Sequence, residues 1–442
     1  MKKFYNKLEK IVKNITRPLI IAGLAGVLSL GRIYAKDILV NTYTTSIQYG
    51  PDIAMNKQNI AITWNSFYQD GSLFGIFAQR FNKEMNKVGE EFQVNSHIEG
   101  HQQDSNTAID KEGNFVIAWS SGWRIYAQRF DNKGNKVKNE FIVNDNIGGV
   151  QEFPRIVMDS EGNFLIAFRY AGYGYIYAQR FNKDGNRIGE GFPLVGCENR
   201  IANNNEQFIV TFLKSPEPTT LYAQRYSWEG EEICDRIFVS SSKADGRDDE
   251  IGNSSIAMNE DKFIVAWRDY GGAFARIYDR EGNSIGDEFR VNNYTENYQI
   301  GSDVAIDKEG NFVITWTNWD GFVADVFAQR FDSRGNRVGD EFKVNSYIDG
   351  WQGGSRIVMD DNNDFVITLC GAGEEDGYGI YAKKFSFYNP ADLNKDGYDN
   401  FKDYTIWANN FLKSGPNIEG DINKNGIVDY EDLETLTENW LL

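Results

Sequence analysis

Two short acidic segments near the C-terminal end of the chain have the residue types and spacing of a cation-binding loop. They read "DLNKDGYDNFKD", Asp392–Asp403, and "DINKNGIVDYED", Asp421–Asp432. Each has an acid or an amide at positions 1, 3 and 5, a glycine at position 6 and an aspartate at position 12. A hard cation needs oxygen ligands on a tightly turned loop, and the glycine permits that turn. The sequence therefore predicts two bound Ca²⁺ ions.

The spacing of a calcium loop assigns a ligand to each of six positions. In the first loop the expected ligands are Asp392, Asn394, Asp396, the Tyr398 carbonyl, Asn400 (directly or through water) and Asp403. In the second loop they are Asp421, Asn423, Asn425, the Ile427 carbonyl, Asp429 and Asp432. The same pattern in both loops favours metal binding over a chance hydrophilic sequence.

Each loop runs into a segment with helical periodicity. Tyr404, Trp407 and Phe411 lie at i, i+3 and i+7, and Leu433, Leu436 and Trp440 repeat that spacing after the second loop. Apolar residues at this spacing predict amphipathic helices that pack through one face. Residues 389–442 are therefore expected to form a small helical module with two calcium loops.

The order loop–helix, linker, loop–helix, with aspartate at position 12, resembles a type I dockerin over residues 391–442. The resemblance implies a module that folds on binding calcium and attaches a secreted protein to cohesin modules, typically in assemblies that degrade polysaccharide. Loop positions 10 and 11 depart from many cellulosomal dockerins, which carry a small hydroxylated pair there. Here they are Phe401-Lys402 and Tyr430-Glu431. The expected partner is thus a cohesin-like protein or another protein, with docking of Trp407 and Trp440 on the chain's own first domain as an alternative.

The phrase "IYAQRFDNKGN", Ile125–Asn135, recurs in seven related copies before this module. Their shared alanines are Ala78, Ala127, Ala178, Ala223, Ala275, Ala328 and Ala382. A period of roughly fifty residues with several strand-like segments per unit predicts the blades of a β-propeller. We therefore predict an all-β, seven-bladed propeller over residues 36–388.

The last repeat lacks a fourth strand. After "IYAKKF", Ile380–Phe385, comes "SFYNP", whereas a spare copy of the fourth strand, "DILVN", lies at Asp37–Asn41. An N-terminal strand that completes the last blade would close the ring and remove its open edges. An open array or separate sandwiches would leave this strand unexplained. The repeats over residues 37–385 also resemble tandem repeats of secreted bacterial surface proteins, which implies an extracellular context.

The two faces of such a ring differ in sequence. Turns after strands one and three are short and hydrophilic, whereas connections after strands two and four vary and contain glycine, aromatics and acids. Variable loops on a rigid scaffold favour ligand binding, here of a glycan or a protein. The candidate contact residues are Trp123, Tyr173, Trp319 and Trp351. The alternative is that these aromatics cap the blade ends.

A glutamine recurs at a fixed offset after the fourth strand, at Gln48, Gln102, Gln151, Gln299 and Gln352. A ring of amides at the channel is one interpretation. Repetition at a fixed offset favours the other, a hydrogen bond between neighbouring blades, since buried amides need partners.

The variable loops also contain carboxylates that could flank a glycosidic bond, namely Asp70, Asp269, Asp320, Asp325, Glu374, Glu375 and Asp376. The chain has only two histidines, His97 and His101, which disfavours histidine-dependent metal hydrolysis. Exposed acids are usually only solvated. We therefore predict a non-catalytic binding protein. The alternatives are a polysaccharide-active hydrolase or lyase and a structural component of a surface layer or matrix.

Residues 1–35 have the features of a secretory signal peptide, a basic head followed by the apolar run Leu19–Gly31 and Ala35. A retained anchor is the alternative, although the apolar run is short for a membrane span. These residues carry seven basic and one acidic side chain, so their removal changes the net charge from -18 to -24. The signal peptide predicts a protein outside the cell or on its surface. So acidic a mature chain is expected to have no nucleic-acid partners and, after signal removal, no membrane span.

Overall fold

The computed structural model describes residues 37–143, 148–171, 175–196, 200–214, 219–241, 252–269, 272–293, 297–347, 349–373, 376–387, 393, 401–415 and 418–439. The first compact unit of the chain is Asp37–Phe387. The described residues from position 393 onward belong to a second unit.

The first unit is a seven-bladed propeller, made of seven four-stranded sheets in which neighbouring strands are antiparallel. Blade one contains β2 (Gln48–Met55), β3 (Asn59–Phe67), β4 (Phe74–Asn82) and β5 (Lys87–Gln93). Blade two contains β6 (Gln102–Ile109), β7 (Phe115–Ser121), β8 (Arg124–Phe130) and β9 (Lys136–Ile142). Blade three contains β10 (Val150–Met158), β11 (Phe164–Ala171), β12 (Tyr175–Phe181) and β13 (Arg187–Leu194).

The remaining blades repeat this order. Blade four contains β14 (Arg200–Asn203), β15 (Gln207–Lys214), β16 (Thr220–Ser227) and β17 (Ile237–Ser241). Blade five contains β18 (Gly252–Met258), β19 (Lys262–Asp269), β20 (Gly272–Asp279) and β21 (Ser284–Arg290). Blade six contains β22 (Tyr298–Ile306), β23 (Phe312–Trp319), β24 (Ala324–Phe331) and β25 (Arg337–Lys343). Blade seven contains β26 (Gln352–Met359), β27 (Asp364–Gly371), β28 (Gly379–Ser386) and β1 (Ile38–Leu39).

The second strand of each blade forms the core between stacked blades. In blade two every residue of β7 is buried, which explains its continuous apolar sequence, because both faces are covered by neighbouring blades. Trp64, Trp119 and Trp267, on the second strands of blades one, two and five, are among the largest fully buried side chains.

The N-terminal strand closes the ring as predicted. Ile38 pairs with Ala382 and Leu39 pairs with Tyr381, so β1 is the fourth strand of blade seven. The amide of Val40 continues this ladder with a hydrogen bond of 2.8 Å to the carbonyl of Ile380. Closure removes the exposed edges that an open array would leave.

The glutamine of the repeated phrase lies at a β-bulge between strands three and four. In blade two the register shifts between Ala127 and Arg129, and the buried Gln128 amide donates to the carbonyls of Arg129 (2.8 Å) and Lys138 (3.2 Å). Gln79, Gln179, Gln224 and Gln329 repeat this pair of bonds. The phrase therefore recurs because each bulge leaves carbonyls that a buried amide must satisfy.

The arginine of the phrase joins neighbouring blades. Arg80 of blade one donates to the Asn132 carbonyl of blade two at 2.9 Å, and Arg129 donates to the Asp184 carbonyl of blade three at 2.8 Å. The same contact recurs from Arg225 to the Glu281 carbonyl in the next blade. These charge-assisted bonds to backbone carbonyls fix the spacing of the blades on the polar face.

The recurring glutamine at the start of strand one also bonds across a blade boundary. Asn95, which follows strand four of blade one, donates to Oε1 of Gln102 in blade two at 3.4 Å. Asn41 with Gln48, and Asn345 with Gln352, repeat this contact at the same distance. All three glutamines are buried. The predicted hydrogen bond between blades is therefore confirmed in these blades.

The second unit contains two short helices, α1 (Phe401–Asn410) and α2 (Tyr430–Asn439). Its core contains Trp407, Val428 and Leu436, and the indole nitrogen of Trp407 donates to the Asp429 carbonyl at 3.0 Å. Trp407 is thus a core residue of this unit. Trp440 lies outside the described residues. Within the described part of the chain, no helix has the length and apolar character required to cross a membrane.

Candidate functional site

A cavity of about 120 Å³ lies among the first strands of the blades, on the axis of the ring. One residue of each first strand occupies the same register position opposite strand two. We call these seven residues the channel ring: Asp52, Asn106, Arg155, Arg200, Ser255, Asp303 and Arg356. All of them except Ser255 line the cavity. The ring thus contributes three guanidinium groups and two carboxylates to one cavity.

A β-bulge precedes the channel ring in six blades. The residue two positions before the ring residue has a positive φ in each of them, at Gly50, Asp104, Phe153, Asn253, Gly301 and Gly354. In blade three, for example, the register shifts between Glu152 and Arg155. Bulges redirect the side chains that follow them and are frequent next to functional sites. A left-handed conformation at Asp104 and Phe153, which are not glycines, marks these two as backbone positions imposed by the fold.

The acceptor side chains of the ring connect adjacent blades. Asp52 Oδ2 accepts the amide of Thr107 at 2.7 Å, and Asp303 Oδ2 accepts the amide of Ile357 at 3.0 Å. In blade two, Asn106 accepts the amide of Ile156 in the same way, at 2.6 Å. One oxygen of Asp52 and one of Asp303 therefore hold the next blade through a backbone amide. The neutral side chain of Asn106 makes the same bond in blade two.

The arginines of the ring are held by their own strands. Nη1 of Arg155 donates to the Pro154 carbonyl at 2.9 Å, and Nη1 of Arg356 donates to the Ser355 carbonyl at 3.1 Å. Nε of Arg356 lies 3.7 Å from Oδ1 of Asp52, within ion-pair range but beyond hydrogen-bond length. Each guanidinium has five N–H donors, so these contacts use a small part of its capacity.

Burial changes the pKa of several ring residues. Desolvation raises the pKa of Asp52 to about 6, although the Arg356 charge and the Thr107 amide act in the opposite direction. Desolvation, together with the Arg356 charge, lowers the pKa of Arg155 to about 10, which leaves it charged at neutral pH. Burial likewise raises the pKa of Asp303, against the nearby charge of Arg356. Burial in the ring therefore opposes both the carboxylate charge of Asp52 and the guanidinium charge of Arg155.

We expect Asp52→Asn to stabilise the propeller at pH 7. The Asp52 pKa is higher in the folded chain than in the unfolded chain, so its folded-state ionisation costs free energy above pH 6 and not below pH 4. Asparagine keeps the acceptor for Thr107 and removes that cost, which predicts a gain of roughly 1–3 kcal/mol at pH 7 that vanishes near pH 4. Urea unfolding at both pH values measures the difference.

The matched control for this prediction is Asp320→Asn on the variable face. Backbone amides of Val323 and Phe322 lower the pKa of Asp320, which is the opposite shift, so this variant should not gain stability at pH 7. An Asp52→Asn variant that is equally destabilised at pH 7 and pH 4 would show that the buried charge carries no cost.

Two of the aromatic residues predicted to contact a ligand are brought together on blades six and seven. Trp319 pairs with Ala324 across the β23–β24 hairpin, and Ala324 forms a parallel bridge with Trp351. The ring of Tyr298 lies 6.1 Å from that of Trp319. Phe322, at the tip of the same hairpin, is 91% exposed. We call Tyr298, Trp319, Phe322 and Trp351 the aromatic patch.

The aromatic patch is open to solvent. Tyr298, Trp319 and Trp351 are 64%, 36% and 44% exposed, so each side chain is partly accessible to solvent. Exposed aromatic groups concentrated on one part of a surface mark a binding site more often than isolated ones do. The exposed fraction of each side chain is available for the expected ligand contact, and the covered fraction fits the alternative of a blade cap.

The other two predicted contact residues are not part of this patch. Trp123 lies in the turn between β7 and β8 of blade two, with φ +70°, and is 73% exposed. Its backbone carbonyl accepts a hydrogen bond of 3.0 Å from the backbone amide of Gln151 in blade three, which fixes the backbone at this position. Tyr173 lies outside the described residues.

Several of the loop carboxylates considered for catalysis have hydrogen-bond or ion-pair partners. Asp70 accepts from the Ser72 amide and from Gln93, and Asp320 accepts from the amides of Phe322 and Val323. Asp325 is 2.7 Å from Lys343, and the buried Asp376 accepts from Asn41 at 2.8 Å. Glu374 and Glu375 lie outside the described residues. A lowered pKa at Asp320 suits a turn-forming carboxylate rather than a general acid.

In the second predicted calcium loop, carboxylate and amide oxygens accept the loop's own backbone amides. Asp432 is fully buried, and its two oxygens accept the amides of Ile422 (2.7 Å), Asn423 (3.0 Å) and Asp429 (2.8 Å). Gly426, at loop position 6, has φ +88° and donates to Asp421 at 2.8 Å. The glycine therefore supplies the tight turn that a calcium loop requires.

The remaining positions of this loop bear oxygen side chains in turn conformations. Asn423 Oδ1 accepts the Asn425 amide, and Asn425 Oδ1 accepts the Ile427 amide. Asp429 Oδ1 accepts the Glu431 amide. Across the parts of the chain that the structure describes, no group of three or more His, Cys, Asp or Glu side chains is arranged to hold a metal ion. The donor set of the second loop is thus mixed, with amide as well as carboxylate oxygens, which is chemistry suited to Ca²⁺.

Most of the first predicted calcium loop lies outside the residues that the structure describes. Asp392, Asn394, Asp396, Tyr398 and Asn400 lie outside the described residues, as does the side chain of Asp403.

The channel ring was not predicted from the sequence, because its residue types differ from blade to blade. The available signal is positional, since the ring residue is the first residue of a first-strand segment such as "RIVMD", Arg155–Asp159, or "DVAID", Asp303–Asp307. Aligning the repeats on that residue would have shown charged side chains at a position that propeller geometry places on the axis.

Comparison with known proteins gives structural similarity alone. No family model matches the chain, and no curated protein matches it. Similar solved structures include a protein of unknown function from Dyadobacter fermentans, with 9% identity, coverage of 80% of this chain and 98% of that chain, and a TM-score of 0.47. Two others are the β-propeller domain of the Trilobed protease from Pyrococcus furiosus (9% identity, 78% and 97% coverage, TM-score 0.48) and the polysaccharide lyase Uly1 (12%, 77% and 90%, TM-score 0.49). At these values the similarity gives no information on activity, and the propeller assignment rests on the strand pairing of this chain.

Proposed function

We propose that this chain is a secreted, non-catalytic binding protein whose propeller recognises a glycan through its variable face. The observation that carries the proposal is the aromatic patch, which joins Tyr298, Trp319 and Trp351 through one hairpin and one bridge. Aromatic faces bind the apolar C–H faces of sugars, and neighbouring polar groups supply orientation. Asp325, Lys343 and Asn345 form such a polar group on the same blade.

The state of the loop carboxylates supports binding rather than hydrolysis. Glycosidases need two carboxylates flanking the bond, one of them with a raised pKa. Asp320 has a lowered pKa, and Asp325 is paired with Lys343. Asp52 and Asp303, two carboxylates with raised pKa values, lie in the channel, where each accepts a backbone amide from the next blade.

For the C-terminal unit we propose a dockerin-like module that binds two Ca²⁺ ions and attaches the propeller to an extracellular complex that degrades polysaccharide. The second loop supports calcium binding through its oxygen donors, Gly426 turn and buried Asp432. Its Ca²⁺ would be held by Asp421, Asn423, Asn425, the Ile427 carbonyl, Asp429 and Asp432, and the first loop would hold a second ion through the ligands predicted above. The ion would supply folding free energy rather than reaction chemistry.

The partner of this module is proposed to be a cohesin-like or other protein that contacts aromatic rather than hydroxylated positions. Tyr430, at position 10 of the second loop, is exposed, and its ring lies 4.9 Å from that of Phe411. Leu412, which follows Phe411 in the sequence, is also exposed. Together they form an apolar surface at the start of α2 in place of a serine or threonine pair.

The test of glycan recognition is binding of the full chain to a glycan array and to soluble polysaccharides. Trp319→Ala and Trp351→Ala are each expected to weaken glycan binding by about tenfold to a hundredfold, which corresponds to roughly 1.5–3 kcal/mol for a stacked aromatic ring. Isothermal titration calorimetry with the best array ligand measures the loss.

Trp123→Ala is the matched control, since Trp123 is exposed on blade two and is not part of the aromatic patch. It should bind as the wild type does. Equal losses in all three variants, or binding of a protein ligand alone, would contradict glycan recognition by the aromatic patch. Release of reducing sugar from the bound polysaccharide would contradict the non-catalytic assignment.

A further inference from the structure

Exposed apolar side chains continue from the aromatic patch into the next blades of the variable face. Tyr378 lies in the β27–β28 hairpin of blade seven, Ile47 precedes β2 of blade one, and Tyr68 follows β3 of the same blade. These three side chains are 59%, 44% and 52% exposed. His101, which precedes β6 of blade two, is exposed as well. Large side chains that stay open to solvent in neighbouring loops mark an interaction site.

Backbone hydrogen bonds join these side chains to the aromatic patch. The carbonyl of Trp351 accepts the amide of Ala372 at 3.1 Å, at the start of the hairpin loop that contains Tyr378. The carbonyl of Tyr378 accepts the amide of Gln48 at 2.9 Å, which places Tyr378 next to Ile47 across the boundary between blades seven and one. The aromatic patch and blade one are therefore connected through a single hairpin.

Contacts between aromatic rings extend this connection across blade one to blade two. The carbonyl of Ile47 accepts the amide of Phe67 at 3.0 Å. The ring of Phe67 lies 4.2 Å from that of Tyr68 and 4.6 Å from that of Phe74. The ring of Phe74 in turn lies 5.6 Å from that of His101 in the next blade. We call the side chains that continue the aromatic patch in this way the apolar path: Tyr378, Ile47, Tyr68, Phe74 and His101.

The charges beside the aromatic patch disfavour an acidic ligand. Asp320 directly follows the first tryptophan of the patch, and Asp349 precedes the second by two residues. Both aspartates are exposed. Lys343, on the same blade as Asp320, is already paired with Asp325 at 2.7 Å, and the whole chain has a net charge of -18. A negative surface potential repels a polyanion, so an uncharged ligand fits this face better.

We propose that the aromatic patch and the apolar path together bind one linear, uncharged polysaccharide along blades six, seven, one and two. The inference rests on the glycan recognition proposed above and specifies its ligand as a chain of several sugars. Each sugar presents a C–H face that packs on an aromatic or aliphatic side chain. Sugars of one chain that occupy neighbouring subsites bind intramolecularly after the first, so the affinity increases with chain length.

The test is isothermal titration calorimetry of the full chain with neutral cello- and xylo-oligosaccharides of two, four and six units. We expect a six-unit ligand to bind about tenfold or more tightly than the two-unit ligand. Tyr378→Ala and Tyr68→Ala should each weaken six-unit binding about threefold to tenfold and leave two-unit binding at the aromatic patch unchanged. Unchanged two-unit binding also shows that each variant is folded.

Phe238→Ala is the matched control for the two tyrosine variants. Phe238 is 52% exposed on β17, the fourth strand of blade four, and is not part of the path. Its truncation should leave the affinity for every ligand length unchanged. Trp123→Ala remains a control on the variable face, because among the described residues no contact between aromatic rings joins Trp123 to His101.

The length series separates this inference from the proposal on which it rests. Equal affinity for two and six units, or wild-type six-unit affinity in both tyrosine variants, would overturn the apolar path. Weaker binding by Trp319→Ala would in that case still support glycan recognition by the aromatic patch. Tighter binding of hexagalacturonate than of the neutral six-unit ligands would overturn the uncharged class. Unchanged binding of all lengths in Trp319→Ala, or no binding of any neutral ligand, would contradict both proposals.

Discussion

The Val40→Asp substitution is expected to release the N-terminal strand β1 from blade seven and so open the ring. Val40 is fully buried in the core cluster of blades one and seven, and its amide extends the β1–β28 ladder. A carboxylate at this position has no partner, and burying an unpaired charge costs several kcal/mol. With a typical total stability of about 5–15 kcal/mol, a loss of roughly 4 kcal/mol is expected in urea unfolding.

Hydrogen exchange of the same variant tests whether the damage begins at the closure. Amides of β28, such as Ile380 and Ala382, should lose protection before those of β15 in blade four, because β1 contributes only a short strand to its sheet. Ile47→Asp is the control, since Ile47 is exposed and lies close in sequence. Uniform loss of protection around the ring, or no loss of stability, would contradict a closure that depends on this strand.

The ring and its closure were accessible from the sequence because they depend on repetition. The seven alanines of the repeated phrase count the blades, and the missing fourth strand after Phe385 points to Asp37–Asn41. Backbone geometry follows the repeat closely, since the same pair of glutamine bonds occurs in five blades and the register shift at the glutamine occurs in four of them. The identity of each repeated residue therefore reports a packing requirement shared by the blades.

The candidate sites depend on residues that do not repeat, which explains why the sequence predicted them only in part. Trp319 and Trp351 come together because both lie beside Ala324, a bridge between blades that no residue pattern reveals. The positive φ values of Asp104 and Phe153 give no sequence signal, since turns of this type usually carry glycine. The charges of the channel ring meet across the axis from blades far apart in the chain, and only the shared register brings them together.

The arrangement of the propeller separates stability from recognition. Contacts that recur, such as the arginine bonds to the turns of the next blade, lie on the polar face or between blades. Residues that vary lie in the loops of the other face, or on the channel axis, where Asp52, Asn106 and Asp303 still share an inter-blade bond to a backbone amide. Such a scaffold allows the aromatic patch to change without disturbing the repeated contacts between blades.

Removal of calcium is expected to unfold the C-terminal unit while leaving the propeller folded. Its core is small, with Trp407, Val428 and Leu436 as the buried apolar side chains of the described part, so packing alone supplies little stability. Calcium at a thousand times its dissociation constant would contribute about 4 kcal/mol. Hydrogen exchange of the full chain should therefore show loss of protection in α1 and α2 on chelation, with the blade strands unchanged.

The Asp432→Asn substitution tests calcium-dependent folding at a single predicted ligand. Asp432 is at position 12 of the second loop, and its buried carboxylate orders the amides of Ile422, Asn423 and Asp429. Asparagine removes the ligand charge and one acceptor site, so the variant should bind one calcium ion where the wild type binds two, and α2 should lose protection even in calcium. Asp320→Asn in the propeller is the control and should keep the full response. Helices whose protection is the same with and without chelator, in both wild type and Asp432→Asn, would refute calcium-dependent folding, because a fold held by this loop must weaken when its cation is withdrawn.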